Sequence, residues 1–140
     1  NVSTPEELEK AINSKTAMIY VNAVDGSFTG QPFSLEVISQ IAKPKNIPVL
    51  IDAAAEHLTI PSIHFKRGAD VVAYSGGKAI RGPQCAGLML GNKEILMSAW
   101  QASSPHHGPG RDNKVGREEM IGMMVAVETW VKRDHDGEWK

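Results

Sequence analysis

The sequence predicts a three-layer α/β protein: a mainly parallel sheet with helices on both faces. Three observations predict it. Short apolar runs at 17–21, 48–52 and 70–75 have the length and β-branched content of buried strands. Helical patterns separate the first of these runs from the second, and a weaker one separates the second from the third, as a parallel sheet with crossovers requires. Each run also ends, at its carboxyl side, in polar or glycine-rich residues suited to the ligand edge of such a sheet.

In chain order, Thr4 is placed to cap a helix, Pro5 suits its first turn, and Glu7 stands where a capping box needs an acid. Leu8, Ala11 and Ile12 give that helix an apolar stripe. The strand Ala17–Val21 runs into a long turn-rich loop, Asn22–Pro32, in which Asn22, Asp25 and Ser27 are candidate ligand contacts. Ser34 caps a second helix with Leu35, Val37, Ile38 and Ile41 inward, and Pro44 ends it. Strand Pro48–Asp52 closes on an acid and three alanines. His57–Gly68, interrupted by Pro61, is expected to be only partly helical. Strand Asp70–Ser75 follows, and Ala86–Leu90 lies too close behind it for a helical crossover, so it returns antiparallel or by a short irregular connection. Asn92 caps a helix over Lys93–Gln101. Residues 103–116, rich in proline and glycine, read as a loop or linker. Arg117–Arg133 is an amphipathic helix with Met120, Met124, Val127 and Val131 on one face.

Composition narrows the function classes. Fifteen basic against sixteen acidic residues leave a net charge of −1 and no basic block, so nothing signals nucleic-acid binding. No apolar run approaches a membrane span and no signal-peptide pattern opens the chain. A single cysteine, Cys85, excludes an internal disulfide and suits the reducing cytoplasm. His57, His64, His106 and His107 show no metal-ligand spacing, so no metal site is expected.

The chemistry concentrates at Ser75-Gly76-Gly77-Lys78. The two glycines allow a sharp turn and a close backbone approach to a ligand. Lys78 then falls just past a strand's carboxyl end, where partial desolvation makes an amine a usable nucleophile. A phosphate-binding P-loop is excluded, because Val72 and Ala79 stand where it needs glycine and a hydroxyl residue. Asp52 ends the preceding strand, so parallel strands bring Asp52 and Lys78 to one edge, with strand spacings of about 4.8 Å. That pair suits pyridoxal phosphate, with Lys78 forming the imine and Asp52 holding the ring nitrogen protonated. Ser75 and the amides of Gly76 and Gly77 would hold the phosphate, and Ala54 is small enough for a ring to lie against. The same residues also fit a turn cap at Asp52 paired with a surface lysine.

Val49-Leu50-Ile51-Asp52-Ala53-Ala54-Ala55-Glu56, Gly68-Ala69-Asp70-Val71-Val72, and Ser75-Gly76-Gly77-Lys78 with Arg81-Gly82-Pro83-Gln84 resemble fold-type I pyridoxal phosphate enzymes. The similarity is to the branch containing selenocysteine synthase (L-seryl-tRNA(Sec) selenium transferase) and D-glucosaminate-6-phosphate ammonia-lyase, and it runs from about Ala17 to Val131. It implies Lys78 and Asp52 as catalytic residues, Ser75 as a phosphate ligand, and a homo-oligomer acting on a small amino-acid-like substrate. The chemistry implied is β-elimination or β-replacement at an amino acid α-carbon, by a lyase or transferase. A pyridoxal phosphate aminotransferase and a non-catalytic α/β module are the alternatives. The selenocysteine synthase pattern has an acid where Gly77 stands and a glycine where Arg81 stands, which favours a relative acting on an amino acid or amino sugar acid. Arg81 and Asn22 are candidate substrate contacts. The resemblance further implies that residues 1–104 are part of a cofactor-binding large domain. Residues 105–140 would be the linker and long helix towards a small domain that this chain lacks.

Overall fold

Capping and burial fix the helices where the sequence placed them. The computed structural model describes residues 2–23 and 33–137; Asp25 and Ser27 lie outside these. Helix α1 (Pro5–Ala11) starts at Thr4, whose hydroxyl accepts from the Glu7 amide at 3.2 Å, while Glu7 reaches back to the Ser3 amide at 2.8 Å. Strand β1 (Ile19–Asn22) begins two residues later than the apolar run suggested. Helix α2 (Leu35–Ala42) is capped by Ser34 and passes into a 3₁₀ turn over Lys43–Lys45. Pro44 is tolerated there because the first turn of such a helix needs no amide donor, and Asn46 ends the turn in the left-handed region.

Strand β2 (Val49–Asp52) is followed by a turn, and the 57–68 segment contributes only the short helix α3 (Ile63–Lys66). Strands β3 (Val71–Ser75) and β4 (Gly87–Gly91), then α4 (Lys93–Ala102) and α5 (Arg117–Lys132), complete the chain. Asn92 caps α4 by accepting from the amides of Glu94 and Ile95. The 103–116 segment is held by Arg111, which donates to Ser104 Oγ at 3.1 Å, and by His106, whose ring meets Trp100 edge-on.

The sheet order is β1-β2-β3-β4, with β1, β2 and β3 parallel and β4 antiparallel to β3. Successive side chains alternate between faces. On one face, Val21, Val49, Ile51, Val72 and Tyr74 join Leu8, Leu35, Ile38, Met123 and Trp130 in the buried core. The other face carries Met18, Tyr20, Leu50, Asp52, Val71 and Met89. Val71 is fully buried there and α4 packs against β4, whereas Met18, Tyr20 and Met89 remain exposed.

Helix α5 is rotated relative to the expected stripe. Met120, Met124 and Val131 are exposed, and Met123 and Trp130 are buried instead. The sequence offers two adjacent apolar stripes, and specific contacts select one. Trp130 Nε1 donates to the Leu58 carbonyl at 2.8 Å, and the site where Gly76 would carry a Cβ lies 2.8 Å from the Met123 sulfur.

Candidate active site at the carboxyl edge of the sheet

Register builds the site. Asn22 pairs with Asp52, and Asp52 with Ala73, so these residues share one face at the carboxyl ends of three parallel strands. Ser75, two residues beyond Ala73, lies on the same face. Lys78 follows on the turn Gly76–Ile80 and is exposed. The parallel arrangement thus brings Asp52, Ser75 and Lys78 to one edge.

Both Asp52 oxygens are held. Oδ1 accepts from the Ala54 amide at 3.0 Å, an Asx-type turn, and Oδ2 accepts from the Tyr20 hydroxyl at 2.6 Å. Tyr20 donation, then the Ala54 amide, pull the Asp52 carboxyl below its ordinary range; partial burial opposes them, and the positive charge of Lys78 adds a smaller pull. Asp52 is therefore a fixed carboxylate. In return the Tyr20 phenol is raised, chiefly by its donation to Asp52. Sequence reasoning missed Tyr20. Its signal was its position two residues before Asn22 on the same face, legible only once register with β2 is known.

The turn beyond β3 is tightly packed. The Gly76 amide donates to the Ala86 carbonyl at 2.9 Å, and a Cβ at Gly76 would come within 2.6 Å of that same oxygen. The Gly76 amide is thus engaged inside the turn, and glycine is needed there for close packing. A Cβ at Gly77 would meet Gln84, whose side-chain amide donates to the Gly77 carbonyl at 3.2 Å. The turn closes through Arg81 to the Lys78 carbonyl and Gly82 to the Gly76 carbonyl. Arg81 takes φ 60°, a left-handed backbone that glycine adopts without strain.

Two of the histidines have partners on the core-facing side. His64 Nε2 lies 2.7 Å from Glu56 Oε2 in the core-facing layer, and His57 stacks near Trp130. Cys85 is an exposed thiol. Among the described residues, no helix is long and apolar enough to cross a membrane.

Comparisons with known proteins extend this geometry. The profile of the family described as Aminotransferase class-V matches residues 1–113. The chain belongs to that family. It is 35% identical over 131 residues to D-glucosaminate-6-phosphate ammonia lyase of Salmonella typhimurium, an alignment covering 93% of this chain and 34% of that protein. It is 28% identical over 140 residues to L-seryl-tRNA(Sec) selenium transferase of Proteus mirabilis, covering 89% of this chain and 29% of that one. Among solved structures, D-glucosaminate-6-phosphate ammonia-lyase superposes with a TM-score of 0.78 at 32% identity, over 96% of this chain and 35% of that one. A SepCysS–SepCysE N-terminal domain complex, at 20% identity and a TM-score of 0.59 over 92% of this chain and 37% of that one, shares the fold. The chain spans about a third of the length of the curated relatives it matches. The class-V family and the ammonia-lyase superposition together bear out the expected mainly parallel α/β architecture.

Proposed function

We propose that this chain carries the cofactor-binding centre of a pyridoxal phosphate enzyme of the selenocysteine synthase-like group. The enzyme acts at an amino acid α-carbon with β-elimination or β-replacement, as a lyase or transferase on an amino acid or amino sugar acid. The observation that carries this reading is a fixed carboxylate, Asp52, at the same sheet edge as the exposed amine of Lys78. The donor set fits the cofactor: an acceptor held ionised, an amine on a turn, and a hydroxyl, Ser75, at the strand end. When bound, pyridoxal phosphate supplies an electron sink for the reacting α-carbon.

Asp52 would accept from the ring nitrogen and hold a proton there. Lys78 would hold the cofactor through its amine and would be placed as the base for the α-proton. Ser75 and the turn of Gly76 and Gly77 would hold the phosphate, Ala54 would lie against the ring, and Arg81 and Asn22 would contact the substrate. Residues 1–104 act as part of the large domain and 105–140 lead towards a small one. The working unit is a cytoplasmic homo-oligomer. The ammonia-lyase and selenium transferase relatives support the reaction class.

Reductive trapping tests this. The protein from its full reading frame is incubated with pyridoxal phosphate, reduced with borohydride and peptide-mapped. One adduct at Lys78, lost in Lys78→Ala, is expected; a wild-type protein with no label at Lys78 refutes the reading.

A further inference from the structure

We infer that Tyr20 is a positioning residue: its hydroxyl, 2.6 Å from Asp52 Oδ2, holds the Asp52 carboxylate in the orientation that receives the cofactor ring nitrogen. This rests on the assignment of Asp52 and Lys78 above and adds a residue that neither composition nor motif singled out.

Strand geometry makes the contact. Tyr20 pairs directly with Leu50, so Asp52 is its diagonal neighbour on the same face, a separation that a long aromatic side chain can span. Tyr20 is 59% exposed, so burial does not hold its ring in place. An ionised carboxylate has about four lone-pair sites and donates nothing. Ala54 fixes one oxygen and Tyr20 the other, so the carboxylate cannot rotate without losing one of them, while further acceptor sites stay open to a ring N–H. A charge-assisted bond of this kind is among the stronger hydrogen bonds. Among the described residues, the titratable and charged groups facing Asp52 are Tyr20 from β1 and Lys78 from the turn after β3, and both favour its ionised form. The ordinary alternative is a surface cross-strand pair that only steadies β1 against β2.

These roles separate experimentally in the full-length protein loaded with pyridoxal phosphate. Tyr20→Phe keeps the ring and removes the donor. It is expected to weaken cofactor retention about tenfold, the scale of one hydrogen bond to a charged group. Without that donor the Asp52 carboxyl protonates at a higher pH, so the midpoint for acid release of the cofactor, followed by its visible absorbance, moves upward. In an Asp52→Asn background the Tyr20→Phe change should add almost nothing, because the charge it serves is gone. The thermal midpoint of the cofactor-free protein at neutral pH should fall only slightly in Tyr20→Phe, by the share of the Asp52 linkage that Tyr20 supplies. An unmoved acid midpoint, or an equal loss of retention with and without Asp52, overturns the inference and leaves the Lys78 adduct intact. Absence of that adduct in the wild type overturns the site assignment itself, and this inference with it.

Discussion

Two acid-centred pairs lie four residues apart in sequence and on opposite sides of the sheet. Asp52 meets Tyr20 on the open face at 2.6 Å; Glu56 meets His64 on the helix-covered side at 2.7 Å. Their lengths are nearly equal, and their surroundings are not. The His64 and Glu56 side chains are 7% and 19% exposed, whereas Tyr20 is 59% exposed. A pair shut away from water must be satisfied internally, so its partners are bound to the fold. A pair at an open edge can keep acceptor sites for something that arrives from outside. Nearly equal geometry therefore closes the carboxylate off in one place and leaves acceptor sites open in the other.

The contrast is broken most strongly from the buried side. His64→Ala leaves Glu56 without its partner and is expected to cost about 3 kcal/mol, read by chemical denaturation. The chain joining that layer to α5 is next. Trp130→Phe removes the donor to the buried Leu58 carbonyl and should cost about 1–2 kcal/mol, with α5 losing hydrogen-exchange protection first. Asp52→Asn should shift stability at neutral pH by less than about 1 kcal/mol, while abolishing the acid dependence that Asp52 contributes. The sign follows from its lowered carboxyl: the stabilisation is present above the unfolded value of about 4 and is lost as pH falls through the lower folded one. Unfolding curves collected from pH 7 down to pH 3 would show a shallower acid limb in the variant. A large loss at neutral pH in Asp52→Asn, or none in His64→Ala, would erase the distinction between the two faces.

Much of this was legible in one dimension. The Thr4, Ser34 and Asn92 caps act through residues two or three positions away, so the local sequence contains both donor and acceptor. The β3 strand, its glycine turn and Lys78 are contiguous, and the short link to β4 left room only for an abrupt return. The rotation of α5 was not legible, because Met120 and Met123 are equally apolar and contacts far away in sequence, Gly76 and Leu58 among them, choose between them. Nor was the engagement of the Gly76 amide, which depends on where Ala86 lands.

The sequence by itself determined the α/β class, the positions of the helix starts, and the pairing of an acid with a lysine at successive strand ends. Those follow from periodicity and capping, which are local. Tertiary structure alone decided that Tyr20 reaches Asp52, that Glu56 is matched with His64, and which stripe of α5 faces inward. The first depends on strand register, where a shift of one residue would turn every side chain of a strand to the other face. The third depends on packing between segments tens of residues apart, and the Glu56–His64 match on how the chain folds back over eight residues.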